Sequence, residues 1–339
     1  MRAVSYIGDR SLAVVDVDPR APAVGEVAID VGFTGICGTD LHVLHGAMDH
    51  RVQPPAILGH EMAGTIAVVG DGVERWSVGA PVSVMPLRWC GQCAACRAGH
   101  THICHHLDFI GLDSPGSMQN QWVVPADTLV AIPPTLALTH AALAEPTAVA
   151  VHDVNRAMLR GGEHVVVVGG GPIGMLVASV ARARGAQVVL LEVSEQRLEL
   201  ARGLGLRALD PTQEDAGAFI ADWTAGAGAE VAFEVSGAVT GLQAATEALA
   251  ARGRLVVVAI HSTAPPVDLF RLFWRELTIV GARVYERADF EEAMRLLETG
   301  AIPAEVLITN VVALEDAALA FAQLESGTAM KVLIECAPG

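Results

Sequence analysis

The spacing of hydrophobic and polar positions changes once along the chain, near residue 146. Before that point, short apolar runs alternate with polar residues and are broken by Gly, Pro, Asn and Asp. After it, continuous apolar runs alternate with helical stretches. The first pattern indicates an irregular β-rich domain. The second indicates a parallel sheet covered by helices on both faces.

These patterns predict three segments and an α/β fold class. We expect a β-rich domain over residues 1–146 with a lobe at about 88–106, a doubly wound parallel-sheet domain over 147–284, and a final segment over 285–339. The final segment contains two helical stretches and the strand KVLIEC. Because it shows no further strand–helix–strand repeat, we expect it to return to the first domain and complete it.

The composition limits the kinds of partner that we expect the chain to bind. A length of 339 residues favours two cores over one. The net charge of -16 repels phosphate backbones, so we expect no nucleic-acid partner. Apolar runs of about eighteen residues are missing from the sequence, so we expect no membrane partner. The first ten residues lack an apolar signal core, which favours a cytoplasmic location.

A glycine-rich turn follows the apolar run HVVVVG at the start of the second domain. Gly169, Gly171 and Gly174 fit the spacing GxGxxG between a strand and a helix. Gly169 permits a tight turn, Gly171 lets the backbone approach a pyrophosphate, and Gly174 allows close packing of helix on strand. Pro172 and Ile173 lie inside this turn, and Ile173 is either a wedge behind a nicotinamide ring or bulk for helix packing.

An acid ends the next apolar run, QVVLLE, about twenty residues after the turn. Glu192 is therefore placed to bind ribose hydroxyls, and its charge repels a 2′-phosphate. The alternative is a solvated acid at the end of a strand. We predict NAD in preference to NADP. The positive charge of Arg197 nearby weakens the repulsion between Glu192 and a 2′-phosphate.

Four of the six cysteines crowd into the stretch WCGQCAACRAGHTHIC. Their spacing, CxxCxxCx7C, suits a closed tetrahedral zinc site better than disulfides, an iron–sulfur cluster or plain buried thiols. The four residues are Cys90, Cys93, Cys96 and Cys104. The histidines of the same lobe are potential replacement ligands: His100, His102, His105 and His106. A closed site stabilises a fold and leaves no position for substrate.

A second group of metal ligands lies elsewhere in the first domain. Cys37 in CGTDLH and His60 in GHEMAG are ligand types that zinc accepts, and Glu145 in AEPTAVAVH adds an acid near the domain boundary. Three protein ligands with one open position are typical of catalytic zinc. On spacing alone, a core histidine and an inert buried thiol fit equally well.

Five motifs follow one another between residues 37 and 174: CGTDLH, GHExxG at Gly59 to Gly64, the cysteine lobe, EPxAVAVH and VVVVGGGPIG. Essentially from end to end, the chain resembles the zinc-dependent medium-chain alcohol and polyol dehydrogenases. The resemblance implies a GroES-like catalytic domain and a Rossmann coenzyme domain. It also implies two zinc ions per chain, with the four lobe cysteines holding the structural one. Cys37, His60 and either Glu61 or Glu145 would hold the catalytic one.

Two departures refine the resemblance. The best-known alcohol dehydrogenases have a cysteine where this chain has Glu145, whereas the sorbitol, threonine and butanediol dehydrogenase branch has an acid. The segment SMQNQW, from Ser117 to Trp122, differs from the small, aromatic and acidic residues of those relatives. If that segment lines the cleft, a substrate cannot simply be carried over.

The resemblance also implies a path for the proton of the substrate hydroxyl. Zinc lowers the pKa of a bound hydroxyl. Thr39, two residues after Cys37, would take the proton, and His42 would pass it towards solvent. On the residues alone, Thr39 is equally a hydroxyl at a helix start and His42 a surface histidine.

The sequence therefore predicts an NAD-dependent zinc dehydrogenase that interconverts a small-molecule alcohol and its ketone. The substrate classes are secondary alcohols, diols, polyols and amino alcohols. Two alternatives remain: a zinc-free quinone or enoyl reductase of the same superfamily, and a non-catalytic NAD-binding sensor. The resemblance further implies a homo-oligomer, a tetramer rather than a dimer, that pairs through the strand at about Leu277 to Val284.

Overall fold

The computed structural model describes residues 1–337. The chain divides into two compact units. The first comprises residues 1–145, 286–300 and the chain from 304 onward, and the second comprises 146–285 and 301–303. The division falls inside the helix Ala144–Arg156.

Short strands dominate the amino-terminal part of the first unit. They are β1 (Arg2–Gly8), β2 (Ser11–Asp16), β3 (Glu26–Gly35), β4 (Ala56–Ile57), β5 (Glu61–Val69), β6 (Pro81–Val84), β7 (Leu87–Arg88), β8 (Asp108–Phe109), β9 (Gln121–Pro125) and β10 (Leu129–Ala131). The helices are α1 (Gly38–Leu44), α2 (Ala94–Arg97), α3 (Leu138–Ala141) and the start of α4 (Ala144–Arg156).

The second unit alternates strands with helices, as the apolar pattern predicted. Its strands are β11 (His164–Val168), β12 (Gln187–Leu191), β13 (Arg207–Leu209), β14 (Ala229–Glu234), β15 (Leu249–Val257) and β16 (Thr278–Gly281). Its helices are α5 (Pro172–Ala183), α6 (Glu195–Gly203), α7 (Ala216–Trp223), α8 (Val239–Glu247) and α9 (Leu269–Trp274).

All pairings in the sheet of the second unit are parallel, with the order β13-β12-β11-β14-β15-β16. The chain winds outward from β11 in one direction and then crosses to β14 to wind in the other, which is the doubly wound arrangement. The apolar runs that form β11 and β14 are almost completely buried, because helices cover both faces of the sheet. The predicted α/β fold class is confirmed.

The final segment contains more structure than the sequence analysis predicted. Its elements are α10 (Arg287–Glu298), α11 (Ala304–Leu307), β17 (Ile308–Ala313), α12 (Ala317–Glu325) and β18 (Lys331–Glu335). β17 and β18 are parallel and are connected through α12. The expectation of no further strand–helix–strand repeat was therefore wrong. β17 was missed because its exposed and half-buried positions give it no continuous apolar run.

β3 organises the main sheet of the first unit. One edge of β3 pairs along its length with β5, and the other edge pairs first with β9 and then with β18. The last strand of the chain is thus part of the sheet that the first segment builds. Large buried side chains such as Ile29, Met62 and Trp122 fill the core around these strands. Among the described residues, none of the helices is long and apolar enough to cross a membrane.

Candidate functional site

A thiol, an imidazole and a carboxylate converge where β3 ends and β5 begins. Ligand atoms of Cys37, His60 and Glu61 all lie within 4.8 Å of one another. Cys37 is the residue before α1, and Glu61 is the first residue of β5. His60 is 2% exposed and Glu61 is 1% exposed. Sulfur, nitrogen and oxygen donors at this separation are a donor set that zinc accepts.

The buried carboxylate of Asp40 lies beside the imidazole of His60. Asp40 lies inside α1 and is fully buried. Its Oδ2 accepts a hydrogen bond of 2.8 Å from the Cys37 amide, and its Oδ1 lies 3.7 Å from Nδ1 of His60. A carboxylate beside the second ring nitrogen is the usual way in which proteins orient a metal-binding histidine. Asp40 therefore holds the backbone of Cys37 and places a negative charge beside the imidazole, without a hydrogen bond between its Oδ1 and Nδ1 of His60.

The charges around His60 favour a cation. Burial by itself would lower the pKa of His60, but the negative groups of Asp40, Cys37 and Glu145 outweigh burial and raise the pKa well above its usual value. The same negative groups attract a metal ion, which replaces the proton when it binds the imidazole. The residues present therefore fit a zinc ion.

Glu61 also belongs to a buried ion pair that the sequence analysis missed. Nζ of Lys331 on β18 donates to Oε2 of Glu61 and, at 3.1 Å, to the carbonyl oxygen of Ile36. Lys331 is only 3% exposed. Gly35 on β3 lies between the two strands, and a β-carbon there would be 2.2 Å from Oε2 of Glu61. Glycine at this position lets the carboxylate reach across β3 to the lysine.

The other residues predicted around this zinc also lie in the first unit. Glu145 is 4% exposed in the first turn of α4. It is not part of the 4.8 Å ligand group found among the described residues, although its charge acts on His60. The thiol of Cys37 lies 3.7 Å from the hydroxyl oxygen of Thr39. His42 is exposed and lies three residues after Thr39 on the same helix.

The four cysteines of the lobe converge as a second group. Ligand atoms of Cys90, Cys93, Cys96 and Cys104 lie within 4.8 Å of one another. Pairing of β7 with β8 closes the lobe at its base, and α2 begins directly after Cys93. None of the six cysteines forms a disulfide. The lobe histidines are not members of this group: His100, His105 and His106 are exposed, and Nδ1 of the buried His102 lies 3.5 Å from Glu286.

Backbone amides already point at the sulfur atoms. The Cys96 and His105 amides donate to Sγ of Cys93 at 3.5 and 3.4 Å, and these two donors lower the pKa of Cys93 to about 5. Burial raises the pKa of Cys96 to about 12, and the neighbouring thiols of Cys93 and Cys104 add to the effect. Four thiolates this close repel one another, so only a cation keeps all of them deprotonated.

The glycine-rich turn has the geometry that its spacing predicted. Gly169 has a φ of 104°, which favours glycine. A β-carbon at Gly169 would lie 2.9 Å from the Ser236 amide nitrogen, and one at Gly174 would lie 1.9 Å from the carbonyl oxygen of Gly169. Gly171, by contrast, faces open space, since its β-carbon would meet nothing closer than Arg197 at 4.0 Å.

The amino-terminal turn of α5 follows directly. Pro172 is the first helical residue, Gly171 precedes it and Ile173 is half-buried. Proline suits this position because its missing N–H has no partner inside the helix. The free amides and the dipole of a helix start bind anions, so the turn fits a pyrophosphate.

Glu192 is fixed at the carboxyl end of β12. Its Oε2 accepts a 2.7 Å hydrogen bond from the Gly170 amide, and its Oε1 accepts bonds of 2.7 and 2.9 Å from the amides of Val193 and Ser194. Nη1 of Arg197 lies 3.7 Å from Oε2. Gly170 also shapes this site, although the sequence did not predict a role for it. A β-carbon there would come within 2.9 Å of Oε2 of Glu192.

The segment from Ser117 to Trp122 is tied into the framework of the first unit. Ser117 is fully buried and bonds to Thr34 at 2.7 Å. Asn120 donates to the carbonyl oxygen of Cys336, and Trp122 donates to that of Pro115. These side chains hold strands and loops of the first unit together.

Comparisons with known proteins agree with this geometry. Residues 23–134 match the family model of the alcohol dehydrogenase GroES-like domain, and residues 172–299 match that of the zinc-binding dehydrogenases. The chain is 49% identical over 337 residues to a 2-dehydro-3-deoxy-L-galactonate 5-dehydrogenase of Pseudoalteromonas atlantica, covering 99% of each chain.

Solved structures show the same fold. The 2R,3R-butanediol dehydrogenase of Bacillus subtilis has a TM-score of 0.92 and 30% identity, covering 100% of this chain and 99% of the other. A zinc-binding dehydrogenase of Sinorhizobium meliloti bound to NADP has a TM-score of 0.93 and 29% identity, covering 98% of each chain. This protein therefore belongs to the zinc-dependent medium-chain alcohol and polyol dehydrogenase family. The predicted combination of a GroES-like domain with a Rossmann domain is confirmed.

The cysteine lobe leads to a stability prediction. We expect Cys96→Ser to remove one zinc ion per chain and to lower the melting temperature by roughly 5 °C or more, because metal binding holds the lobe folded. Zinc analysis and thermal unfolding measure the two effects. Cys336→Ser, which changes a buried cysteine outside both ligand groups, is the matched control and should keep its zinc. A Cys96→Ser protein with full zinc content would contradict the assignment.

Proposed function

We propose that this protein is a zinc-dependent dehydrogenase that oxidises a secondary hydroxyl of a polyhydroxylated small molecule with NAD and reduces the corresponding ketone. The convergence of Cys37, His60 and Glu61 within 4.8 Å carries the proposal. This donor set speaks against a zinc-free reductase. A sensor that had lost catalysis would not need to keep it.

Cys37 and His60 are proposed as the fixed ligands of the catalytic zinc. Asp40 bonds to the backbone of Cys37 and lies beside the imidazole of His60, while the third position falls to Glu61 or Glu145. Lys331 pairs with Oε2 of Glu61, but Glu61 belongs to the 4.8 Å ligand group and Glu145 does not. We therefore assign Glu61 as the acid that lies at the metal and Glu145 as the acid that completes the negative field around His60.

The chemistry needs a Lewis acid, a proton acceptor and a hydride acceptor. A zinc ion held here would lower the pKa of a coordinated hydroxyl. Oγ1 of Thr39, beside the Cys37 thiol, is proposed to accept the hydroxyl proton as it releases its own, and His42 on the exposed side of α1 to pass a proton to water. A bound nicotinamide coenzyme would accept the hydride.

The coenzyme is proposed to bind at the glycine-rich turn. Gly169, Gly171 and Gly174 shape a turn for the pyrophosphate, and Pro172 and Ile173 begin the helix behind it.

NAD is favoured because Glu192 is held by three backbone amides and cannot easily move aside for a 2′-phosphate. Arg197 is close enough to screen part of that charge, and one structural neighbour of this chain is bound to NADP. Residual activity with NADP is therefore expected.

A polyhydroxy keto acid is the first substrate to test. The basis is the 49% identity, over almost the whole chain, to the 2-dehydro-3-deoxy-L-galactonate dehydrogenase. Initial rates of NADH formation with that compound, sorbitol, xylitol, 2,3-butanediol and threonine would rank the candidate classes. A preference for threonine would move the assignment to amino alcohols.

A homo-oligomer is proposed from an exposed apolar surface on the second unit. β16 is the edge strand of the parallel sheet, and an edge leaves backbone donors and acceptors free to pair with another chain. On α9 nearby in sequence, Phe270, Phe273 and Trp274 are each more than 70% exposed. Exposed apolar patches of this kind mark interfaces. We propose a tetramer in which the strand over 277–284 contributes one of the contacts.

The cytoplasm is the proposed location. The lobe cysteines form no disulfide, and their thiols must stay reduced to bind metal, as in the cytoplasm.

Cys37→Ser tests the catalytic site. We expect turnover to fall by at least about a thousandfold and zinc content to fall from about two to about one per chain, because the remaining ligands bind weakly. NADH binding should persist, since the glycine-rich turn is untouched. Metal analysis, initial rates and fluorescence titration with NADH measure the three quantities. Unchanged turnover would refute the zinc assignment.

Glu192→Ala tests the coenzyme preference. Loss of the ribose contact should lower kcat/KM for NAD by roughly tenfold, because a hydrogen bond to a charged group is lost. The ratio of NADP to NAD activity should rise at the same time. Glu195→Ala, which changes an exposed acid three residues away, is the control and should leave the ratio alone. An unaltered ratio in Glu192→Ala would remove this residue from the ribose site.

Ile279→Lys tests the oligomer. A charge on the edge strand opposes strand pairing between copies, so we expect a smaller species by light scattering after size-exclusion chromatography. Val78→Lys, at a position that is 65% exposed in the first unit, should leave the assembly intact. If the unmodified protein is already a monomer, the oligomer proposal is wrong.

A further inference from the structure

A histidine–glutamate pair lies in the second unit, away from the metal ligands. Nε2 of His261 lies 2.9 Å from Oε2 of Glu234. The glutamate is fully buried, and the histidine side chain is 12% exposed. Glu234 ends β14, and His261 follows β15. None of the chemistry assigned above uses this pair.

Glu234 connects two turns at the carboxyl edge of the sheet. Its Oε1 accepts hydrogen bonds from the Ser236 amide at 2.9 Å, the Ser236 hydroxyl at 2.6 Å and the Gly237 amide at 3.0 Å. Its backbone carbonyl accepts from the Val258 and Ala259 amides at 3.0 and 3.1 Å. The remaining carboxylate oxygen meets His261. One residue thus holds both the turn after β14 and the segment after β15.

This residue lies where the strand order reverses. β11 and β14 are neighbours in the sheet, and the chain winds away from them in opposite directions. Open α/β sheets bind their ligands outside the carboxyl ends of strands at such a point. The two turns there touch, since a β-carbon at Gly169 would lie 2.9 Å from the Ser236 amide. The Glu234 turn is therefore in contact with the glycine-rich turn.

The position of the coenzyme follows from these contacts, and the argument rests on the coenzyme site proposed above. Glu192 lies on the β12 side of the glycine-rich turn and binds the adenosine ribose. The pyrophosphate lies at the turn itself. The nicotinamide half must then extend to the other side, over the ends of β14 and β15, where Glu234 and His261 lie.

We propose that His261 is a positioning residue for the nicotinamide half of the coenzyme. Its bond to Glu234 fixes the segment after β15, in which Ile260 is 81% exposed and Val267 is 40% exposed. A fixed segment gives the nicotinamide ring a preformed surface. A loose segment must lose conformational entropy each time the coenzyme binds.

Ligands of two lengths separate this role from a general loss of structure. AMP contains only the adenosine half, whereas NADH spans both halves. We expect His261→Ala to weaken NADH binding by roughly tenfold, because a hydrogen bond to a charged group is lost. AMP binding should stay within about twofold of the unmodified protein, because its contacts lie on the β12 side. Fluorescence titration measures NADH, and displacement calorimetry measures AMP.

Two amide variants identify the nitrogen that matters. The side-chain amide of His261→Gln can place an N–H near the position of Nε2 and bond to Glu234, so this variant should bind NADH close to normally. The shorter His261→Asn cannot reach Glu234 and should behave like His261→Ala. It also serves in place of His261→Ala if that variant fails to fold.

The sheet offers a matched control at its opposite edge. Nδ1 of His164, at the start of β11, lies 3.3 Å from Oε2 of Glu230 in β14. His164→Ala removes another histidine–glutamate pair, which joins the amino-terminal ends of β11 and β14, and NADH binding should be unaffected. Equal NADH affinity in His261→Ala and the unmodified protein would overturn the proposal, as would parallel losses of AMP and NADH. If the unmodified protein binds no NADH, the coenzyme assignment itself is wrong.

Discussion

A carboxylate cannot stay ionised in an apolar interior unless a cation or several N–H groups compensate its charge. Asp40, Glu61, Glu192 and Glu234 are all nearly or completely buried. Each of them lies where a ligand is proposed to bind or where a neighbouring ligand-binding segment is held. The cost of burying these acids fixes the positions of the groups that compensate them, and this fixes the geometry of the sites.

The compensation takes a different form in each unit. In the first unit, positive side chains balance the buried acids. Lys331 pairs with Glu61, and the imidazole of His60 lies beside Asp40. In the second unit, Glu192 is satisfied mainly by backbone amides, which carry no net charge. The first arrangement concentrates charge at the proposed metal site. The second leaves a fixed negative group at the proposed ribose site.

Patterns within short stretches of sequence predicted most of the framework. Continuous apolar runs identified the parallel sheet, and the spacings of the cysteines and glycines identified residues that do come together. Contacts between distant segments carry no such signal. Lys331 and Glu61 are 270 positions apart, and only the pairing of β18 with β3 brings them together.

Contacts between distant segments also explain the other features that the sequence did not predict. β17 was overlooked because its burial depends on β18 and α12, not on its own apolar run. The pairing of Glu234 with His261 depends on β14 and β15 lying side by side. The polar segment from Ser117 to Trp122 suggested a cleft, yet its partners are strands and loops from distant parts of the chain.

The shared use of β3 has a consequence for synthesis on the ribosome. β18, at the end of the chain, pairs with β3 near its start, while the whole second unit is encoded between them. The nascent amino-terminal sheet must wait, with one stretch of β3 not yet paired with β18, until β18 has left the exit tunnel. The Rossmann unit can fold during that interval, because its sheet is built from one nearly continuous stretch of chain.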